Sequence, residues 1–262
     1  MSKFTKMMRK KYKETKKSSI IIYFVLRTLV IICAILETAK GNYGNTLLCI
    51  ISLFLFTLPT LIKDKFKIDI PNALEGIIYI FIFASEILGE INNFYGIIPH
   101  WDTLLHTLNG FLCAGIGFSL VDLLNNNSKK INLSPVYVAI VAFCFSMTIG
   151  VLWEFIEYSA DRLVETDAQR DAIVTSISSK KLDKKNESEP VVINDIIATE
   201  VKTVDGKTYK INGGYLDVGI NDTMKDLFVN LLGALVFSTY GYIFVKKRDK
   251  NSFVSNFVPT KM

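Results

Sequence analysis

The sequence predicts an all-α fold, a polytopic transmembrane bundle of six helices, and three observations carry that reading. Half of the 262 residues are hydrophobic and the mean hydropathy is +0.32. The apolar residues gather into six blocks of about 20, the length that crosses a hydrocarbon core of about 30 Å as a helix. The charged residues, 21% of the chain, lie mostly between the blocks. This pattern excludes an ordinary soluble enzyme, a collagen-like or wholly disordered chain, and an outer-membrane barrel. The net charge of +5 would point to nucleic acid if it were taken as a single number, but the distribution of the bases does not.

Residues 1–19 form a basic cytoplasmic tail with eight bases and one acid. The first block, Ile20–Ala39, is too long for the apolar core of a cleaved signal peptide, and no Ala-x-Ala site follows, so it reads as an uncleaved span. The second, Thr46–Ile62, contains Pro59, which predicts a kink. Pro71, Pro99 and Pro135 stand at or before the starts of the next blocks, Ala73–Ile91, Thr103–Leu124 and Pro135–Tyr158, where a missing N–H costs little. Residues 20–160 therefore hold helices 1–5. Residues 161–221 form a long extracellular loop between helices 5 and 6. Within it, Lys180–Pro190 is charged, lacks aromatics and reads as a flexible tip. Thr199–Ile211 alternates around Asp205-Gly206, a two-residue hairpin signal. The sixth block, Lys225–Val245, lies within 222–246, and 247–262 is a basic cytoplasmic tail. The four cysteines, Cys33, Cys49, Cys113 and Cys144, all lie inside blocks, so no structural disulfide is expected. The Ile-, Lys- and Asn-rich composition fits an AT-rich bacterial genome.

Orientation follows from lysine and arginine. The first tail, the loop with Lys63, Lys65 and Lys67, the loop with Lys129 and Lys130, and the last tail fall on one side if all six blocks span. Together with Lys246, at the end of the sixth span, they hold 18 of the 30 bases. The short loops of the other face hold only Lys40 in 40–45 and no base in 92–100. The long loop 161–221 has nine bases, but long loops are exempt from the rule. Both termini are therefore placed in the cytoplasm of a bacterial plasma membrane. The basic segments are topology signals and contacts to membrane lipids, and nucleic acid is not an expected partner.

Ionisable residues inside spans are costly and mark function or pairing. Here they collect at the outer ends. Glu86 and Glu90 end the third block, with Glu75 and Tyr79 on the same face further in. Asp102, His106, Asn109, Gly110, Cys113 and Gly117 form one stripe on the fourth. Gly150, Glu154, Glu157 and Asp161 share a face of the fifth, and Asp222, Asp226, Asn230 and Gly233 a face of the sixth. Glu37 is a further candidate. The nearest bases, Lys225 and Arg162, stand one residue off the stripes and are expected to angle away. Crowded carboxylates stay protonated, face water or gather a cation. Carboxylates with one imidazole suit a divalent metal such as Zn, Mn or Mg. The candidate metal ligands are Asp102, His106, Glu154 and Asp226, with Glu157 or Asp222 as general base and Glu86 and Asn230 as further polar site residues. Against this stand solvated interfacial acids (Glu90 and Asp161), helix capping by Asp102 and Asp222, and glycines that serve only packing. Trp101, Trp153, Tyr95 and Tyr158 read first as interfacial belt residues. Arg27, midway along the first block, is expected to find a partner or to snorkel.

Asp102-Thr-Leu-Leu-His106, Glu154-Phe-Ile-Glu157 and Asp226-Leu-Phe-Val-Asn230-Leu-Leu-Gly233-Ala234 resemble motifs of VanZ-like membrane proteins. Trp101-Asp102, Trp153-Glu154-Phe-Ile-Glu157, Asp222-Thr-Met-Lys-Asp226 and Gly214-Tyr-Leu-Asp217 are more similar to the uncharacterised YjdF type of bacterial membrane protein, over roughly residues 75–240. Thr103 and Glu157 stand where the VanZ-like pattern has lysine and glutamine. The VanZ resemblance implies a link to glycopeptide resistance and the cell envelope, while the YjdF type implies no particular reaction. Three functions fit the residues: a metal-dependent enzyme acting on an envelope lipid or cell-wall precursor, a cation- or lipid-handling transporter, and a structural membrane protein whose polar residues serve packing.

Overall fold

The computed structural model describes residues 3–66, 68–127, 132–184, 189–249, 252–258 and 260–261. Lys67, Lys129, Lys130, Lys250 and the centre of the expected flexible tip, 185–188, lie outside the described residues. The protein is mostly helical. Five helices are long and apolar enough to cross a membrane: Ser19–Ala39, Tyr43–Lys65, Trp101–Asn125, Pro135–Leu163 and Ile220–Lys247. The chain divides into two compact units, Met1–Gly150 with Val229–Met262, and Val151–Phe228.

The first unit opens with α1 (Lys3–Ala39), in which the basic tail is helical and continuous with the first span. Its Lys, Arg, Met and Glu are good helix formers and no Gly or Pro interrupts them. The second block is two helices, α2 (Tyr43–Leu55) and α3 (Leu58–Phe66), with the break at Phe56–Thr57. Pro59 has no N–H and crowds the carbonyl one turn earlier, so the ladder fails just before it. After the short strand β1 (Ile68–Asp69), the third block starts as α4 (Asn72–Ile82) and runs on as a π-helix from Phe83 to Ile91. The Asn92 N–H bonds the Ile87 carbonyl five residues back, at 3.1 Å. An α-helical face drawn through Glu75, Tyr79, Glu86 and Glu90 therefore does not survive, because the wider π turn changes the period. A single turn, α5 (Phe94–Ile97), precedes α6 (Trp101–Asn127), and α7 (Pro135–Leu163) follows.

The core of this unit has two parts. Val30, Cys49, Phe56, Tyr79 and Ile87 join α1, α2, α4 and the π segment. A larger cluster includes Leu112, Phe118, Val138, Ala142, Ala234 and Phe237 from α6, α7 and α8 (Ile220–Lys247). There α6 and α8 touch backbone to backbone. A Cβ on Gly110 would lie 2.0 Å from the Asn230 carbonyl oxygen, and one on Gly233 would lie 2.1 Å from that of Thr107. Small residues permit this approach, as at membrane helix interfaces generally. The last residues were marked in the sequence only by their bases. In the structure, Val254 and Phe257 are buried in the larger cluster at 0% and 1% exposure. A final strand, β8 (Thr260–Lys261), pairs with β1.

The second unit departs from the all-α expectation. It holds three antiparallel strand pairs among its described residues: β2 (Ala172–Val174) with β7 (Tyr215–Asp217), β3 (Ile177–Ser179) with β4 (Val191–Ile193), and β5 (Ala198–Lys202) with β6 (Thr208–Asn212). The β5–β6 connection is longer than a two-residue turn. Lys202 pairs with Thr208, and the Gly206 N–H bonds the Thr203 carbonyl at 3.0 Å. Gly206 then takes φ +82°, a left-handed value that only glycine adopts without strain.

Candidate functional site

Asp102, His106, Glu86 and Asn230 belong to the first unit, and Glu154, Glu157, Asp222 and Asp226 to the second.

In the first unit, Asp102 lies in the first turn of α6 and His106 one turn on. The His106 Nε2 is 3.4 Å from Asp102 Oδ1, and the two side chains are 11% and 16% exposed. A carboxylate beside an imidazole offers hard and borderline donors to one cation. Glu86 accepts a hydrogen bond from the Ser85 hydroxyl at 3.3 Å, and that hydroxyl is 3.4 Å from the Tyr95 hydroxyl. Burial pushes the Tyr95 phenol well above its ordinary range. Asn230 has a different environment. It accepts from the Asn109 amide at 3.2 Å, its own amide faces the Met147 sulfur at 3.6 Å, and a Cβ on Gly150 would meet that amide at 2.7 Å. The Ser146 hydroxyl donates to the Gly110 carbonyl at 2.7 Å, and the Cys113 thiol to Asn109 at 3.4 Å. These bonds stitch α6, α7 and α8 together, so Asn230 serves helix fit.

In the second unit, Glu154 is buried at 4% exposure on a helix whose neighbours Leu152, Phe155 and Ile156 are exposed. Glu157 accepts from the Trp153 indole at 2.7 Å. Asp222 accepts from the Arg170 backbone N–H at 3.1 Å. The expectation that Lys225 angles away fails: its Nζ lies 3.2 Å from Asp222 and 3.5 Å from Asp226. A long lysine stem three residues after Asp222 reaches back along the helix, and so it supplies a counter-charge within the acidic stripe itself. Asp226 is 1% exposed.

Other acids singled out in the sequence organise local structure. Asp161 accepts from the Thr166 hydroxyl at 2.8 Å and from the Ala168 and Gln169 N–H groups at 2.6 and 2.9 Å, which anchors the chain after α7. Glu37 accepts from Lys40, Asn42 and Asn45 at 2.7, 2.9 and 2.9 Å and closes the α1–α2 turn. Glu75 accepts from Lys63 and from the Tyr79 hydroxyl, each at 2.9 Å. Arg27 donates to the Tyr23 hydroxyl and stacks over its ring. Arg162 stacks over Tyr158 at 5.4 Å. Sequence reading also missed Asp122, which is fully buried and holds Arg248 at 2.8 and 3.1 Å. The signal for it was an acid near the end of α6 together with a basic run after α8.

The model of a family described as "Predicted membrane protein (DUF2238)" matches residues 20–247. An uncharacterized protein of Thermotoga maritima is 28% identical over 96 residues, which is 37% of this chain and 48% of the relative. The chain thus matches about half the length of that curated relative. No solved structure matches.

Proposed function

The chain belongs to the DUF2238 family of predicted membrane proteins, and from that premise we propose that it is a six-span bacterial plasma-membrane protein of the YjdF type with an outward-facing acidic/His site that serves an envelope lipid or cell-wall precursor. In this reading α4 and the π segment form the third span, both termini are cytoplasmic, and 161–221 is an extracellular cap. One observation carries the reading: on helices apolar enough to span, His106, Glu154 and Asp226 are 9%, 4% and 1% exposed. Burying an ionisable side chain on a spanning helix carries a free-energy cost. That cost is met by function or by pairing.

The ligand set that helical spacing supplies is Asp102, His106, Glu154 and Asp226, and a divalent metal is the cation it suits best. The two candidate proton acceptors differ in partner: Lys225 balances part of the charge of Asp222, and Glu157 accepts from the Trp153 indole. Elemental analysis of protein purified in mild detergent tests the metal. The reading expects a bound divalent metal that Asp102→Asn and His106→Gln each remove, with Tm falling no further than that of the chelated wild-type protein. Metal-free protein whose Tm ignores chelator sinks the metal. A strain lacking the protein whose glycopeptide susceptibility is unchanged sinks the envelope role.

A second reading, in which polar residues serve packing, is favoured at Asn230 by its bond to Asn109. It covers that residue and not the Asp102–His106 pair.

A further inference from the structure

We infer that the first unit holds a binding site for one acyl chain of a membrane lipid, and that the C-terminal segment Ser252–Val258 backs the wall of that site behind Ser119. The site is a cavity of about 280 Å³ at the break between α2 and α3, where Leu58, Pro59 and Ile62 face Leu74 and Ile78 of α4 and Leu112 of α6. Its walls are almost wholly apolar. Two further lining residues, Asn109 and Cys113, bond each other at 3.4 Å and so direct no polarity into the space.

Three arguments select the occupant. An apolar void of this size does not hold water, and leaving it empty forfeits packing. The cavity is also continuous with the face that the spans present to lipid, since two of its lining residues, Ile62 and Leu120, are 40% and 42% exposed. Finally, about 280 Å³ lies just below the usual range of ligand pockets, roughly 300–1,000 Å³, and with an apolar lining it suits a stretch of hydrocarbon and not a headgroup.

The C-terminal segment meets this space through Ser119, which lines the cavity and whose hydroxyl also reaches the Phe257 carbonyl. Phe257 stacks with Phe111 at 5.8 Å and Phe237 at 5.3 Å, and Val254 is fully buried in the same cluster as Ile70, Leu74 and Leu112. Displacing the segment would open the cavity on that side.

The inference rests on the membrane placement and not on the acidic/His site. The test uses the full chain in nanodiscs of phosphatidylglycerol and phosphatidylethanolamine, with a fraction of the phosphatidylglycerol carrying a diazirine at the end of one acyl chain. Photolysis is expected to label α6 between Leu112 and Leu120 and α4 between Leu74 and Ile82. Ile116→Trp, which fills the cavity, should lower that labelling several-fold at unchanged labelling of the lipid-facing Ile35. Cys113→Phe is the second filling variant if the first does not fold. Phe257→Ala should raise the labelling of Ser119 and extend it to Phe237. Labels confined to outward residues such as Ile35 and Leu61, or labelling of α6 indifferent to both filling variants, overturn the site. Labelling indifferent to Phe257→Ala overturns the wall. Asp102→Asn should leave all of it unchanged, so failure here and failure of the proposed function are separable.

Discussion

On α8, Asn230 in the first unit and Asp226 in the second are both 1% exposed, one turn apart in sequence. Asn230 is neutral, bonds Asn109 and lies where α6 and α8 touch backbone to backbone. Asp226 is an acid with a lysine 3.5 Å away, beside an aspartate that the same lysine also serves. The first unit uses its neutral polar groups as fasteners between helices, whereas its acids pair with nearby bases, as Glu37 does with Lys40 and Glu75 with Lys63. The second unit uses acids in both ways: Asp222 and Asp226 share Lys225, and Asp161 holds the Ala168 and Gln169 N–H groups. A polar stripe that looks uniform along one helix is thus two devices. The neutral part contributes to fit, and the charged part carries the ion pairs of Lys225.

The comparison is broken most directly at the helix contact. Gly110→Leu pushes side chain into the Asn230 backbone and should cost about 3 kcal/mol or more, measured as loss of Tm and of the folded fraction in detergent. If it is tolerated, the close contact is not what holds the first unit. Arg248→Gln leaves a fully buried Asp122 without its guanidinium. It should destabilise by about 2–3 kcal/mol, at the low end for a buried pair because Arg248 is 41% exposed. Asn230→Ala should cost roughly 1–3 kcal/mol by leaving the Asn109 amide unbonded, whereas Asp226→Asn should remove any bound cation and change Tm little relative to chelated wild-type protein. Equal stability losses at both positions would erase the distinction between fastener and ligand group. Gly206→Ala forces a left-handed residue and should cost about 1 kcal/mol, seen as faster amide exchange confined to β5 and β6.

The smallest effect is a pH dependence of the same hairpin. Asp205 is held below its usual carboxylate range by Lys207 and Thr203. Its folded pKa is depressed, so its contribution is present above the unfolded value and is lost as pH falls through the folded one. Asp171 runs the other way. Burial, and then the charges of Asp167, Asp161 and Asp217, raise its pKa. Its folded form therefore favours the proton, and that contribution is lost as pH rises through the raised value. Amide exchange across the acid range should show protection at β5–β6 falling toward low pH while protection near Asp171 rises.

Much of the fold was legible in the chain because its signals are local. Block length, Pro59, the glycines spaced on α6 and α8 and the Asp205-Gly206 turn each report on a few neighbouring residues. The candidate site was legible as residue types at helical spacing, and the Asp102–His106 pair needs nothing more than one helical turn. The expected angle of Lys225 failed because spacing gives the direction of a Cβ, while a four-carbon stem decides where its charge ends up. The Glu86–Glu90 face failed because a π turn has no sign in the apolar pattern.

By itself, then, the sequence determined that this is a membrane protein. Apolar length, and the need of a backbone in lipid to satisfy its own hydrogen bonds, depend on each segment alone. Only the tertiary structure decided which acids have partners, that α6 and α8 meet at Gly110 and Gly233, and that Val254 and Phe257 return to the core. Each of these depends on residues far apart in the chain coming to the same place, and no local pattern encodes that meeting.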